Sequence, residues 1–203
     1  MQIALTAVML STGRADLSTC APSLSVLPIT VYNRSRMNGP ELDAIVETAD
    51  RLWRPYGVTI SSGAPHGVAV IVGLEPPARK PFGSDPIVLG TTLFSDGHAK
   101  PYIHLWVGGA EALIKAADGD GRRLSAMTPV ERDAELLPVL GVALAHEIAH
   151  YLLDTPHHSR VGLLQTTLRF RDLLAASPEH LPLTDQQQRA LCAKDFGGLD
   201  LRH

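Results

Sequence analysis

The chain's 203 residues are enough for one domain with a hydrophobic core. At 45% hydrophobic and 19% charged residues, the composition is that of a folded globular protein. A formal charge of −3 supplies no basic field for nucleic acid, and Arg122-Arg123 is too short a cluster to change that.

The opening MQIALTAVMLSTGRA contains an apolar stretch of signal-like length but no Lys or Arg ahead of it. An exported precursor and an ordinary N-terminus both stay open. No apolar run approaches the roughly 18 residues of a membrane span. Cys20 and Cys192 lack C-x-x-C spacing. One bridge between the chain ends and two separate thiols are both compatible with them.

Residues 1–23 carry little pattern. VLPITVY (Val26 to Tyr32) reads as a buried strand. Asn38-Gly39-Pro40 then starts a helix whose apolar stripe is Leu42, Ile45, Val46, Ala49, Leu52 and Trp53. Pro55 and Gly57 end it. GVTIS (Gly57 to Ser61) and VAVIVGL (Val68 to Leu74) read as strands, and the second is apolar on both faces, as a central strand is. Residues 75–88 are Pro-rich and read as a loop. LGTTLF (Leu89 to Phe94) and YIHLWV (Tyr102 to Val107) are further strands, joined by a polar segment that includes His98. His104 faces away from Ile103 and Leu105, and both His98 and His104 read as bland positions. DGDGRR (Asp118 to Arg123) is a turn, not a calcium loop, because its acidic ladder stops after two positions.

Thr128-Pro129-Val130-Glu131 is a capping box with Pro at the first helical position. A long apolar helical stretch runs from there to Asp154. Pro138 is expected to divide or kink it, or to mark the start of a second helix. Short helical pieces follow around Phe170 to Ala176 and from Thr184, a cap, to Lys194. The expected fold is α+β: a mixed twisted sheet, two main helices and a short, partly helical C-terminal part. The expected organisation is an N-terminal stretch over 1–23 and one unit over 24–203, divided into 24–154 and 155–203.

The chemistry concentrates in HEIAHYLLDTPHH, His146 to His158, which holds four of the nine histidines. On a helix His146 and His150 share one face, so both imidazoles can reach one metal ion. Glu147 falls beside that ion, where it can take a proton from water, which is the logic of H-E-x-x-H. The surrounding apolar residues would make two histidines and a glutamate costly to bury without a partner. A third ligand is needed. Thr155-Pro156 ends the helix and lets the chain turn back, so His157 or His158 can supply it. Neighbours in an extended segment point to opposite sides, so only one of them does. Asp154 and Glu179 are weaker alternatives.

HEIAHYLLDTPHHSRVGLL resembles the metzincin clan of zinc peptidases, and more closely its matrixin-like bacterial members, over residues 139–165. Residue by residue, the resemblance implies His146, His150 and His158 as zinc ligands and Glu147 as general base. His158-Ser159 falls on the family's His-Ser, and Gly162-Leu163-Leu164 on its Gly-Leu-Met, the turn that forms an apolar floor. The family has Gly where Leu153 stands and its third ligand where Pro156 stands, so the turn here must differ. The resemblance further implies a zincin-like fold, a secreted or periplasmic location, and an extended peptide laid along the strand Leu89 to Phe94. A catalytically silent zinc-binding domain and a zinc amidohydrolase of a small substrate are the alternatives. Tyr151 points away from the ligand face and is expected to pack.

Overall fold

The computed structural model describes residues 25–63, 66–75, 87–117 and 126–194. The questions of residues 1–23, of Cys20 and of the turn at Asp118 to Arg123 lie outside them.

Five strands form one mixed sheet: β1 (Ser25–Asn33), β2 (Val58–Ser62), β3 (Val68–Gly73), β4 (Gly90–Ser95) and β5 (His98–Trp106). Their order is β2-β1-β3-β5-β4. β1, β2, β3 and β5 run parallel, and β4 returns antiparallel beside β5 at one edge. VAVIVGL is therefore central, as its residue pattern suggests, and LGTTLF lies at the edge, as the metzincin resemblance implies. β1 departs from a fully buried strand: Leu27 and Ile29 are buried, whereas Val26 and Tyr32 are exposed. Its register changes partner at Ile29, from β2 to β3. Ser25 and Ile29 make the bonds on the β2 side, so the missing N–H of Pro28 faces the other side, where pairing with β3 begins only at Ile29.

Two long helices cover one face of the sheet. α1 (Gly39–Trp53) begins with a reciprocal capping box between Asn38 and Glu41. The third helix in chain order, α3 (Pro129–Leu153), begins with the same device between Thr128 and Glu131. Ile45, Ala49 and Leu52 of α1 meet Leu140, Leu144 and Ile148 of α3 over the inward residues of the sheet. Trp53 is fully buried and donates its indole N–H to the carbonyl of Ala145, 3.2 Å away. That bond ties α1 to α3 one residue before His146.

Three features differ from the sequence expectation. α3 is continuous over 25 residues, and Pro138 lies inside it. Proline there removes one helical hydrogen bond, but packing of α3 on α1 and the sheet holds the helix together. α3 is also long and apolar enough to cross a membrane by composition, with a mean hydropathy of 1.5, yet 72% of that window is buried inside the protein, as in a core helix. Finally, a helix not expected from the sequence, α2 (Val107–Ala117), follows β5 directly and starts at Val107, the residue read as the strand's end. The C-terminal part carries α4 (Phe170–Ala175) and α5 (Asp185–Cys192), the latter capped by Thr184 as its sequence indicates.

Asp50 shows which polar contact matters in the core. Its buried carboxylate accepts the backbone N–H of Ile60 at 2.8 Å and pairs with Arg54 at 2.6 Å. The Arg54 side chain is largely exposed, so the ion pair contributes less than about 1 kcal/mol. Removing the carboxylate leaves a buried N–H without its acceptor, which costs about 1–3 kcal/mol. Asp50→Ala is therefore expected to destabilise more than Arg54→Ala, measured by urea unfolding of the two variants. Equal losses would show that the ion pair dominates instead.

Candidate metal centre

α3 delivers His146, Glu147 and His150 from one stretch of helix, and the chain then reverses. The reversal occurs at Asp154, which adopts a left-handed conformation with φ 50° and ψ 50°. Asp accepts this region more readily than most residues. Its carboxylate is tied down: Oδ1 accepts the N–H of Ala99 at 2.7 Å, and Oδ2 lies 2.8 Å from His98 Nδ1. This turn lies one residue after Leu153, the position at which the metzincin resemblance leads one to expect a glycine. Asp154 therefore fastens the helix end to β5, and it is not among the residues that converge on the metal cluster.

The returning chain brings in His158. The three ring nitrogens available from His146, His150 and His158 all lie within 4.8 Å of one another. His146 Nε2 is 3.1 Å from His150 Nε2 and 3.3 Å from His158 Nε2. Nitrogens bound at about 2.0–2.1 Å to one tetrahedral ion stand about 3.3 Å apart. His157 is exposed, its backbone N–H bonds to Thr155 Oγ1, and it does not join the cluster. Glu179 is exposed and likewise outside it.

The hydrogen bonds on the other side of each ring decide what these short separations mean. His146 Nδ1 lies 2.7 Å from the carbonyl of Leu163, and His150 Nδ1 lies 2.7 Å from the carbonyl of Thr155. A carbonyl only accepts, so each Nδ1 carries the proton and each Nε2 presents a bare lone pair. Two lone pairs facing at 3.1 Å cannot bond to each other. A proton between them is disfavoured as well. Burial, with the charges of His150 and His158, pushes His146 down to about 4. Burial also lowers His150 and His158. A shared cation would satisfy these lone pairs at once. The donor set, three neutral imidazoles with outer hydrogen bonds on two, fits a transition-metal ion.

Glu147 lies beside this cluster and is buried. Burial raises its carboxyl to about 7 against the opposing effect of a hydrogen bond from Thr92. Thr92 Oγ1 stands 2.8 Å from Glu147 Oε2 and 2.8 Å from the Glu147 carbonyl. Gly90, two residues earlier on β4, makes room for the same side chain: a Cβ there would lie 2.8 Å from Glu147 Cγ. Phe94, two residues later, sets its ring edge-on to His150, with centroids 6.4 Å apart. Alternate residues of the edge strand thus form the seat of the helix residues. None of these three contacts is expected from the sequence, because each joins positions more than fifty apart.

The segment after His158 is braced in turn. Gly162 has φ 79°, and a Cβ there would fall 1.9 Å from the carbonyl oxygen of Pro182, so no other residue fits. Leu163 donates its N–H to Pro182 at 3.1 Å while its own carbonyl holds His146. Leu164, at the position of the expected floor methionine, is buried, and its carbonyl accepts the N–H of Ser159 at 2.7 Å. A cleft of about 610 Å³ opens over the cluster, between β4 and the segment Gln165 to Leu168, with Leu113, Ala143 and Leu173 on its apolar wall.

Among the described residues, the other histidines lie outside this cluster. His104 is half-buried on the opposite sheet face beside Trp106. His98 is not a plain loop residue: it begins β5 and pairs with Asp154. Tyr151 packs against the core as expected.

Two outcomes follow for the isolated protein. His158→Ala is expected to abolish stoichiometric metal binding and His157→Ala to preserve it, read by metal content after dialysis. The reverse pattern would exclude this cluster. In metal-free protein His146 is depressed from 6.5 to about 4. Below 6.5 the unfolded chain takes up a proton that the folded chain refuses, so stability contributed by neutral His146 is lost as pH falls from about 6.5 toward about 4. Thermal unfolding of metal-free protein should show that loss, and His146→Gln should reduce it.

No protein-family model matches the chain and no curated protein matches it, so the assignment of a metal centre rests on the geometry of these residues.

Proposed function

We propose that the chain is a zinc-dependent peptidase that cleaves extended peptide segments. The observation that carries this reading is the placement of buried Glu147 next to three histidines whose Nε2 atoms converge, at the floor of a cleft bordered by a sheet edge. Three imidazoles at tetrahedral separations suit zinc and leave one position for a reacting group. When bound, zinc supplies Lewis acidity, which acidifies water and polarises a carbonyl.

The chain's own residues supply the remainder. His146, His150 and His158 hold the ion, with His146 and His150 oriented by the carbonyls of Leu163 and Thr155. Glu147 takes a proton from the attacking water and passes it to the leaving amine as the C–N bond breaks. Without metal, burial holds this carboxyl at about 7; a bound cation would favour its charged form, which suits the group that takes the first proton. β4 borders the cleft and lies at the edge of the sheet, where an extended peptide can add as a further strand. The resemblance of HEIAHYLLDTPHHSRVGLL to the metzincins supports the same chemistry.

Glu147→Gln tests this reading. The variant should keep its zinc and hydrolyse an unstructured protein such as unfolded casein at least about 100-fold more slowly. Hydrolysis at the wild-type rate would remove Glu147 from the mechanism. A wild-type protein that binds zinc but cleaves neither casein nor a varied peptide library would overturn the peptidase reading.

A further inference from the structure

We propose that Thr92 is a positioning residue for Glu147, and that its hydroxyl together with the small Gly90 fixes which carboxylate oxygen serves the reaction. This rests on the peptidase reading of the same site.

Thr92 sits on β4 with its side chain turned inward and buried. Regular antiparallel pairing places it there, Gly90 with Leu105 and Thr92 with Ile103; the register then breaks, since Phe94 pairs with Ala99 and β5 carries two more residues than β4 across that interval. Such a bulge re-aims side chains locally. Here it falls between the residue that meets Glu147 and the residue that meets His150.

The hydroxyl has one proton and two acceptors, both at 2.8 Å: Oε2 and the backbone carbonyl of Glu147. A bond to a carboxylate is stronger than a bond to a neutral carbonyl. The proton therefore goes to Oε2 while Glu147 is charged. Oε1, on the Gly90 side, is left to exchange the proton with water and amine. Glu147 carries a proton for part of the proposed reaction. During that interval the proton sits on Oε1, and Oε2, now the carbonyl oxygen of the acid, still accepts from the hydroxyl. One side chain thus holds both forms without moving. Valine has the same shape and can do neither. Serine can do both.

The test compares Thr92→Val and Thr92→Ser with wild type and Glu147→Gln, all zinc-loaded. Thr92→Val should lower kcat about 10–100-fold, with KM and zinc stoichiometry unchanged. Thr92→Ser should recover most of that loss. Crystal structures of metal-free Thr92→Val and wild type should show the Glu147 carboxylate turned from its wild-type position in the variant. Wild-type kcat in Thr92→Val, or an equal loss in Thr92→Ser, overturns the positioning role while Glu147→Gln still upholds the peptidase reading. Loss of zinc from Thr92→Val also overturns it, since the role would then be structural. If wild type and Glu147→Gln do not differ in hydrolysis, the peptidase reading has failed. The crystal structures then decide alone, and an unmoved carboxylate rejects the positioning of Glu147.

Discussion

Two hydrogen bonds on the far sides of two imidazole rings govern the centre of this molecule. A neutral histidine has one N–H to give. His146 commits its own to Leu163, and His150 commits its own to Thr155. The nitrogens left facing each other can then only accept. The acceptor carbonyls are backbone groups, so the requirement falls on the path of the chain. Thr155 must follow the helix closely, and Leu163 must return beneath it. Leu163 is held by Pro182, and the next residue, Leu183, donates its N–H to the Tyr56 hydroxyl at 2.8 Å. A side chain just after α1 thus helps brace the segment that orients His146.

The electrostatics of the cluster are consistent with this frame. Burial makes charge costly on every titratable group at the centre, so the histidines resist protonation and Glu147 resists ionisation. Histidines without protons are ready ligands, and a glutamate close to neutrality is a ready acid or base. The apolar setting of α3 in the core therefore suits both roles proposed for these residues. Leu144 and Ile148, fully buried beside these polar residues, contribute to the site by excluding water.

Much of this was legible in the residues themselves. HEIAH gives a shared helical face by periodicity alone. Thr128, Asn38 and Thr184 announce helix starts through capping patterns that the structure contains. Pro156 marks the need for a turn, and His158 followed by Ser159 was preferred through family resemblance where spacing left His157 level with it. What stayed hidden has a common cause. The carbonyls of Leu163 and Thr155 are backbone atoms, which leave no mark on residue type. Thr92 and Gly90 look like ordinary strand residues until β4 is laid against α3. α2 contains Gly108-Gly109, residues of low helix propensity, so tertiary packing overrides local propensity there. Pro138 misleads in the same direction, because a helix packed along its length tolerates one missing bond.

The turn at Asp154 has a mechanical consequence for the cleft. Thr92 grips α3 at Glu147, and Ala99 with His98 grips its end at Asp154. These fastenings are seven residues apart, or about 10 Å along a helix. Two clamps at that spacing stop the β4–β5 hairpin from pivoting on the helix, so this wall of the cleft is a rigid rail. The facing wall, Gln165 to Leu168, is built from a loop with Thr166 and Thr167 exposed. The two sides therefore have unequal compliance. For the proposed peptide substrate, alignment over Glu147 would then be set from the β4 side.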